Sequence, residues 1–188
     1  MEETMFYTMK FGDIEHKLPI CPLNDKLSIA GFIILGNAAL SEECARQLLL
    51  KAPEFDYIFT AEAKGIPLAH DMTRLAGKSQ YIIARKSPKL YMSGHISVKV
   101  QSITTAKEQV LYLDKAEADL ICGKRVLIVD DVISTGESLK AIEELVKKAG
   151  GVIVGKMAIL AEGDAQSRED ITYLQPLPLF DNEGNPLA

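Results

Sequence analysis

The run Arg125-Val126-Leu127-Ile128-Val129 constrains this chain more than any other feature, because it ends on Asp130-Asp131 and an amphipathic segment follows within a few residues. Apolar, mostly β-branched residues without alternation read as a strand covered on both faces, as in a parallel sheet. From about Gly136 to Ala149, Leu139, Ile142, Leu145 and Val146 fall on one face of a helix, and Gly150-Gly151 supplies its stop. Val152 to Leu160 is a further strand. The same alternation occurs upstream: Phe55 to Thr60 reads as a buried strand, Ile66 to Ala76 as a helix and Tyr81 to Ala84 as a strand. Strands alternating with helices define an α/β chain with a mainly parallel central sheet flanked by helices. Ligands of such sheets sit at the carboxyl ends of strands. The loops after Thr60, Ala84, Val129 and Leu160 are therefore where function is expected.

The flanking segments have other patterns. Met5 to Lys10 and Ile14 to Ile20 bracket Gly12-Asp13, a hairpin signal, and Pro19 and Pro22 are expected to break the pattern. Ser41 is expected to cap a helix running to about Lys51, with Glu42 and Glu43 favourable in its first turn. Residues 87–115 are polar and alternate, as in Ile96-Ser97-Val98-Lys99-Val100-Gln101, which predicts an exposed two-stranded excursion.

Composition excludes several classes of protein. A length of 188 residues suits a single domain, and apolar runs such as Ile29 to Leu35 fall far short of the roughly 20 residues that span a bilayer. Met1-Glu2-Glu3-Thr4 is acidic with no apolar signal region behind it, so a cytoplasmic location is expected. A net charge of −5 argues against nucleic acid as a partner. Cys21, Cys44 and Cys122 lack the short spacings of a zinc or disulfide framework and are expected to be reduced, mostly buried thiols. His16, His70 and His95 stand apart from one another, and of the three His95 is the best placed for chemistry.

The segment Val129-Asp130-Asp131-Val132-Ile133-Ser134-Thr135-Gly136-Glu137-Ser138 suits a phosphate monoester. Backbone N–H groups at a helix N-terminus carry partial positive charge and point outward. Gly136 permits tight geometry, and the hydroxyls of Ser134, Thr135 and Ser138 can add hydrogen bonds. Asp130 and Asp131, at what is expected to be the strand's exposed end, can accept hydrogen bonds from vicinal hydroxyls or hold the waters around Mg²⁺. A phosphate plus two hydroxyls describes a ribose 5-phosphate. A capped helix after a strand is the bland alternative, and a bare Ser-Thr-Gly would usually mean no more than that.

This segment resembles the signature of the type I phosphoribosyltransferases, which use phosphoribosyl pyrophosphate: an apolar strand, two acids, two apolar residues, a small residue, Thr, Gly, a variable residue, then Thr or Ser. The resemblance covers roughly residues 30–180 and implies that Asp130 and Asp131 are catalytic and that Ser134, Thr135, Gly136, Glu137 and Ser138 hold the 5-phosphate. Thr60-Ala61-Glu62-Ala63-Lys64-Gly65-Ile66-Pro67 resembles the family's pyrophosphate loop, with Ala63, Lys64 and Gly65 in contact with diphosphate and a non-proline cis bond expected at Ala63–Lys64. Arg85-Lys86-Ser87-Pro88-Lys89 resembles the Arg-Lys-x-x-Lys stretch of adenine and orotate enzymes. Arg85, Lys86 and Lys89 would neutralise charge on the leaving group. Residues 90–111 match the family's mobile loop in position.

The base is read less directly. Residues 1–37 sit where the family keeps a hood over the base, and apolar Ile33, Ile34 and Leu35 would stack on it. Adenine-specific members usually carry Glu-Tyr in the mobile loop, where this chain has Gln101-Ser102-Ile103-Thr104-Thr105. Hypoxanthine-guanine enzymes have an Asp where Ser134 stands. The resemblance thus implies a purine phosphoribosyltransferase of purine salvage, adenine first and xanthine or hypoxanthine/guanine second, with a pyrimidine base or a regulatory sensor of phosphoribosyl pyrophosphate as further alternatives. It implies Mg²⁺ carried by the substrate rather than a direct metal site, and a homodimer.

Overall fold

A computed structural model describes residues 4–100 and 109–187. The chain runs β1 (Phe6–Phe11), β2 (Ile14–Asn24), β3 (Leu27–Ala30), α1 (Ala38–Leu49), β4 (Tyr57–Ala61), α2 (Gly65–Leu75), β5 (Ile82–Ala84), β6 (His95–Val100), β7 (Gln109–Asp114), α3 (Lys115–Ile121), β8 (Arg125–Ile133), α4 (Glu137–Lys148), β9 (Val152–Glu162), a 3₁₀ turn (Gly163–Ser167) and β10 (Thr172–Leu177). Five strands form one parallel sheet in the order β10-β9-β8-β4-β5. The expected α/β architecture is present, and its parallel strands place the loops after β4, β5, β8 and β9 along one edge.

The central strand shows why. Leu127 and Val129 of β8 join the apolar cluster under α1, α2 and the N-terminal strands, while Val126 and Ile128 join the cluster under α4 and the β6–β7 pair. Both faces of β8 are covered, so every residue from Val126 to Val129 is apolar and fully buried. Helix α4 buries Leu139, Ile142, Leu145 and Val146, the face expected from their spacing, and adds Ala141. Gly150, at φ 77°, follows the helix and lets Gly151 N–H reach Val146 O at 2.9 Å.

Several boundaries differ from expectation. Asn37, not Ser41, caps α1: its Oδ1 accepts from Leu40 N–H at 3.1 Å, which starts the helix one turn earlier and buries Ser41 inside it. Pro19 and Pro22 do not end β2. They lie where the strand changes partner, from β1 (Phe6↔Pro19) to β3 (Ile20↔Ala30, then Pro22↔Ser28), and the register shifts between Pro22 and Asn24. A strand that leaves one neighbour for another tolerates missing donors there. Of the thiols only Cys44 is buried, and burial pushes it up to about 12; Cys21 and Cys122 are exposed, each near a strand or helix end. The excursion at 87–115 is a real two-stranded antiparallel sheet, β6 with β7, but its second strand runs directly into α3, capped by Asp114. Residues Gln101 to Thr105 lie outside the described residues. Among the described residues no helix is long and apolar enough to cross a membrane.

The N-terminal strands are fastened by the chain's other end. Phe180 and Ser28 exchange backbone hydrogen bonds at 2.8 and 2.9 Å, and the Phe180 ring meets Tyr7 edge-on at 5.0 Å between centroids. Ser28 Oγ donates to Asn182 Oδ1 at 2.8 Å. Phe180 is fully buried. Phe180→Ala is expected to lower unfolding free energy by about 3–5 kcal/mol, the usual loss for a buried aromatic ring. Denaturant titration checks this, and a loss below about 1 kcal/mol would mean that the N-terminal sheet does not depend on this ring.

Candidate active site

Strand β8 continues through both acids to Ile133, so Asp130 and Asp131 are sheet residues rather than loop residues. The expectation that they stand at an exposed strand end is corrected: Asp131 is only 4% exposed. Asp130 is partly buried, and Asp130 Oδ1 accepts from Asp131 N–H at 2.9 Å. Burial first, then the Asp131 charge and a side-chain hydrogen bond with Asp131, push the Asp130 carboxyl far above the ordinary carboxylate range, to about 8; the Asp131 N–H and then Lys64 oppose this only in part.

The loop after β8 turns through Ser134 and Thr135 to Gly136, whose φ of 80° and ψ of 4° are left-handed, and α4 begins at Glu137. Only glycine adopts this conformation without strain. The first helical N–H, that of Glu137, lies 3.5 Å from Thr135 Oγ1, and Gly136 has no side chain to cap it. A cavity of about 60 Å³ lies beside these donors, lined by Ser134, Thr135, Gly136, Ser138 and the backs of Asp130 and Val132. A helix N-terminus facing a small cavity suits a tetrahedral anion.

The loop after β4 is pressed against the acids. A Cβ on Gly65 would collide with Thr60 Oγ1 and stand 3.0 Å from Asp130 Oδ1. The bare glycine therefore lets α2 start against β8. Lys64, the residue before it, places Nζ 2.8 Å from Asp131 Oδ2 and 3.5 Å from the Phe32 carbonyl oxygen. The cis bond lies at Glu62–Ala63, one residue earlier than expected, which puts the turn directly after the last strand residue, Ala61. Lys64 is already helical in conformation.

A second cavity, about 300 Å³, holds Lys64 and Lys86 together with Asp130, Asp131 and Ser138. It shares Asp130, Val132 and Ser138 with the smaller cavity, so the two are adjoining spaces. The basic stretch after β5 divides around Glu62. Glu62 accepts from Lys86 N–H at 2.9 Å and from Arg85 Nη1 at 3.4 Å, and Lys89 Nζ stands 3.9 Å away. Burial alone would raise the Glu62 carboxyl, but the Lys86 N–H and the charges of Lys89 and Arg85 outweigh it and hold the group low. Of the three cations, then, Lys86 lines the cavity while Arg85 and Lys89 turn to Glu62. Arg85 also pairs with Tyr112 through two 2.8 Å backbone hydrogen bonds, which hang the β6–β7 sheet from the edge of the central sheet.

Not all of the expected residues converge. Ile34 is fully buried in the core and cannot stack on a ligand; Ile33 and Leu35 are 52% and 48% exposed. The segment is extended, so its side chains alternate, and Phe32 and Ile34 take the inner face. His16, His70 and His95 meet Phe32, Tyr81 and Tyr112 edge-on rather than joining the acids. Reading by residue runs also missed Glu62 as the hub of the basic stretch, and it assigned no residue after Leu160. There Glu162 ends β9, its carboxyl raised by burial against the opposing pull of Lys64, and Arg168 reaches back to Gly136.

A parallel α/β sheet with two glycine-bearing loops and paired acids at its carboxyl edge defines the class to which the chain is compared. Within that class, a family model described as a phosphoribosyl transferase domain matches residues 32–182, and the chain belongs to this family of pentosyltransferase enzymes. It is 36% identical over 170 residues to a hypoxanthine/guanine phosphoribosyltransferase of Methanotorris igneus, covering 88% of this chain and 84% of that protein. It is 36% identical over 129 residues to an adenine phosphoribosyltransferase of Petrotoga mobilis, covering 68% and 65%. Its fold is similar to that of a solved adenine phosphoribosyltransferase from Giardia lamblia complexed with 9-deazaadenine, with a TM-score of 0.63 at 18% identity over 92% and 93% of the two chains.

The protonated Asp130 has a consequence for stability. The unfolded chain releases this proton in the ordinary carboxylate range, whereas the folded chain keeps it to about pH 8. Between those limits the folded state binds more protons, so stability falls as pH rises. Asp130→Asn removes this slope. Melting curves are expected to match the wild type near pH 4 and to show the variant gaining on it steadily toward pH 8; a constant difference across that range would mean Asp130 ionises normally.

Proposed function

We propose that the chain transfers ribose 5-phosphate from phosphoribosyl pyrophosphate to a purine base, releasing pyrophosphate. The observation that carries this reading is the pair of adjoining cavities at the carboxyl edge. One offers helix N–H groups and hydroxyls to a phosphate monoester, and the other gathers two cations beside two acids. A ribose lying across Asp130 and Ser138 would extend its 5-phosphate to Ser134–Ser138 and its diphosphate to Ala63, Lys64, Gly65 and Lys86. Arg85 and Lys89 would supply charge from behind Glu62.

In the reaction a ring nitrogen of the base bonds to C1 as the C1–O bond to pyrophosphate breaks. The electron pair leaves with pyrophosphate, and the base loses its proton. Positive charge grows on C1, beside ribose hydroxyls from which Asp131 is placed to accept, and Asp130 with it once a bound cation offsets the burial and the Asp131 charge that keep its proton on. Such contacts strengthen in the transition state. Backbone donors and Lys64 hold the leaving group's growing negative charge. Among the described residues no cluster of three or more His, Cys, Asp or Glu is able to hold a metal. The two adjacent acids nevertheless fit a Mg²⁺ brought by the diphosphate and met through water, whose charge would favour the ionised form of Asp130 that burial and Asp131 oppose. When bound, that ion would spread the charge of the leaving group.

We favour adenine as the acceptor. The solved adenine enzyme's similar fold and the Petrotoga relative support it, while the Methanotorris relative, which covers more of the chain, supports hypoxanthine or guanine as the second reading. Pyrophosphate release measured with adenine, hypoxanthine, guanine, xanthine and orotate, with and without Mg²⁺, is expected to show turnover with a purine and none in excess chelator. Turnover with orotate alone, or with none of the bases, would sink the reading. Asp130→Asn and Asp131→Asn are each expected to lower kcat by at least about tenfold, or roughly 1.4 kcal/mol of barrier. Normal turnover in both would return the acids to a structural role.

A further inference from the structure

We propose that Arg168, which lies outside the phosphate loop in sequence, is the cation of that loop and positions it through Gly136. The inference rests on the phosphoribosyl reading above, since it concerns the same 5-phosphate. Ser134 to Ser138 contain no basic residue. The structure places one there: a Cβ built on Gly136 would collide with Nη1 of Arg168, so the guanidinium occupies the space left by the missing side chain.

The guanidinium is held in that place. Asp170 Oδ1 accepts from Nε at 2.9 Å and Asp170 Oδ2 from Nη2 at 2.8 Å, a two-pronged grip on one edge of the fork. Among the described residues Nη1 makes no hydrogen bond, and it is the nitrogen that faces Gly136. Asp170 is gripped in turn by Lys156 of β9, and Lys156 Nζ reaches Glu143 Oε1 of α4 at 3.1 Å. Glu143 lies two turns along the helix that Gly136 opens. The circuit Glu143–Lys156–Asp170–Arg168–Gly136 thus leaves α4 and returns to its first turn.

This arrangement has two effects. It braces a left-handed glycine that has no side chain of its own to fix it, and so fixes the direction of the helix N–H donors. It also turns the positive end of the Arg168–Asp170 pair toward the loop and the negative end away. Both effects favour an anion at the N-terminus of α4, and neither acts on the diphosphate, which lies toward Lys64 and Lys86. Arg168 is a positioning residue, and its influence is specific to one end of the substrate.

The test compares two anionic probes, ribose 5-phosphate and pyrophosphate, by titration calorimetry on the wild type, Arg168→Gln, Arg168→Lys and Asp170→Asn, alongside steady-state kinetics and melting curves. Arg168→Gln is expected to weaken ribose 5-phosphate about tenfold and to raise KM for phosphoribosyl pyrophosphate similarly, with a smaller change in kcat and with pyrophosphate affinity held within about twofold. Arg168→Lys keeps the charge but not the fork and is expected to lose less. The gap between Gln and wild type is expected to narrow with added salt. Asp170→Asn leaves Arg168 in place but loosens its grip, so it reports on the brace even if Arg168→Gln fails to fold; it too should weaken ribose 5-phosphate and spare pyrophosphate. Unchanged ribose 5-phosphate binding in folded Arg168→Gln, or equal losses for both probes in step with a falling Tm, would overturn the proposal. Failure of the wild type to bind ribose 5-phosphate would overturn the phosphoribosyl reading beneath it instead.

Discussion

At the carboxyl ends of β4 and β8 the chain comes close to itself because one of the meeting residues, Gly65, has no side chain. Gly65 leaves room for Thr60 Oγ1 and Asp130 where a Cβ would stand. That contact sets the distance between the first turn of α2 and the acids of β8, and hence the 2.8 Å ion pair of Lys64 with Asp131. The larger cavity owes its mixed lining to the same approach: cations from the β4 and β5 loops share a wall with acids from the central strand. Any side chain at position 65 would push the two loops apart and separate charges that must act on one substrate.

The site neutralises itself. Lys64 answers Asp131, Arg85 and Lys89 answer Glu62, and Arg168 answers Asp170. Asp130, with burial and a neighbouring acid against it, keeps its proton. A site for a polyanion in a chain of net charge −5 is thus assembled without stranded charge. Buried charges left unpaired would cost several kcal/mol each. Under the proposed function, a substrate bearing a phosphate and a diphosphate would exchange these internal partners for its own oxygens, and part of the attraction would go into that exchange.

The parts legible in the residue order were those where one physical rule governs a short run. Unbroken apolar residues from Val126 to Val129 meant a strand covered on both faces, and the spacing of Leu139, Ile142, Leu145 and Val146 gave the helix face. The turn from β8 into α4 was readable because strand, acids, glycine and helix are consecutive. What escaped was decided by partners far along the chain. Asn37 took the cap from Ser41 because of where the preceding turn delivers it. Ile34 faces the core because Phe32, two residues earlier, does. Arg168 is 32 positions from Gly136, and no periodicity links them. Strand β10, at the sheet's edge with Pro176 inside it, carries too little apolar signal to be separated from a loop.

The bridge between Ser28 and Phe180 orders events in time as well as space. Residues 6–30 leave the ribosome first, yet the ring that covers them and the Asn182 side chain that receives the Ser28 hydroxyl are made last. Until then the N-terminal sheet lacks the Phe180 ring against Tyr7 and the backbone partner of Ser28 on its outer side. Strands β4, β8 and β9 and the loops after them need no such wait, because all of them precede Phe180 in the chain. Synthesis therefore delivers the central strands, and the loops at their carboxyl ends, before the N-terminal sheet has its seal.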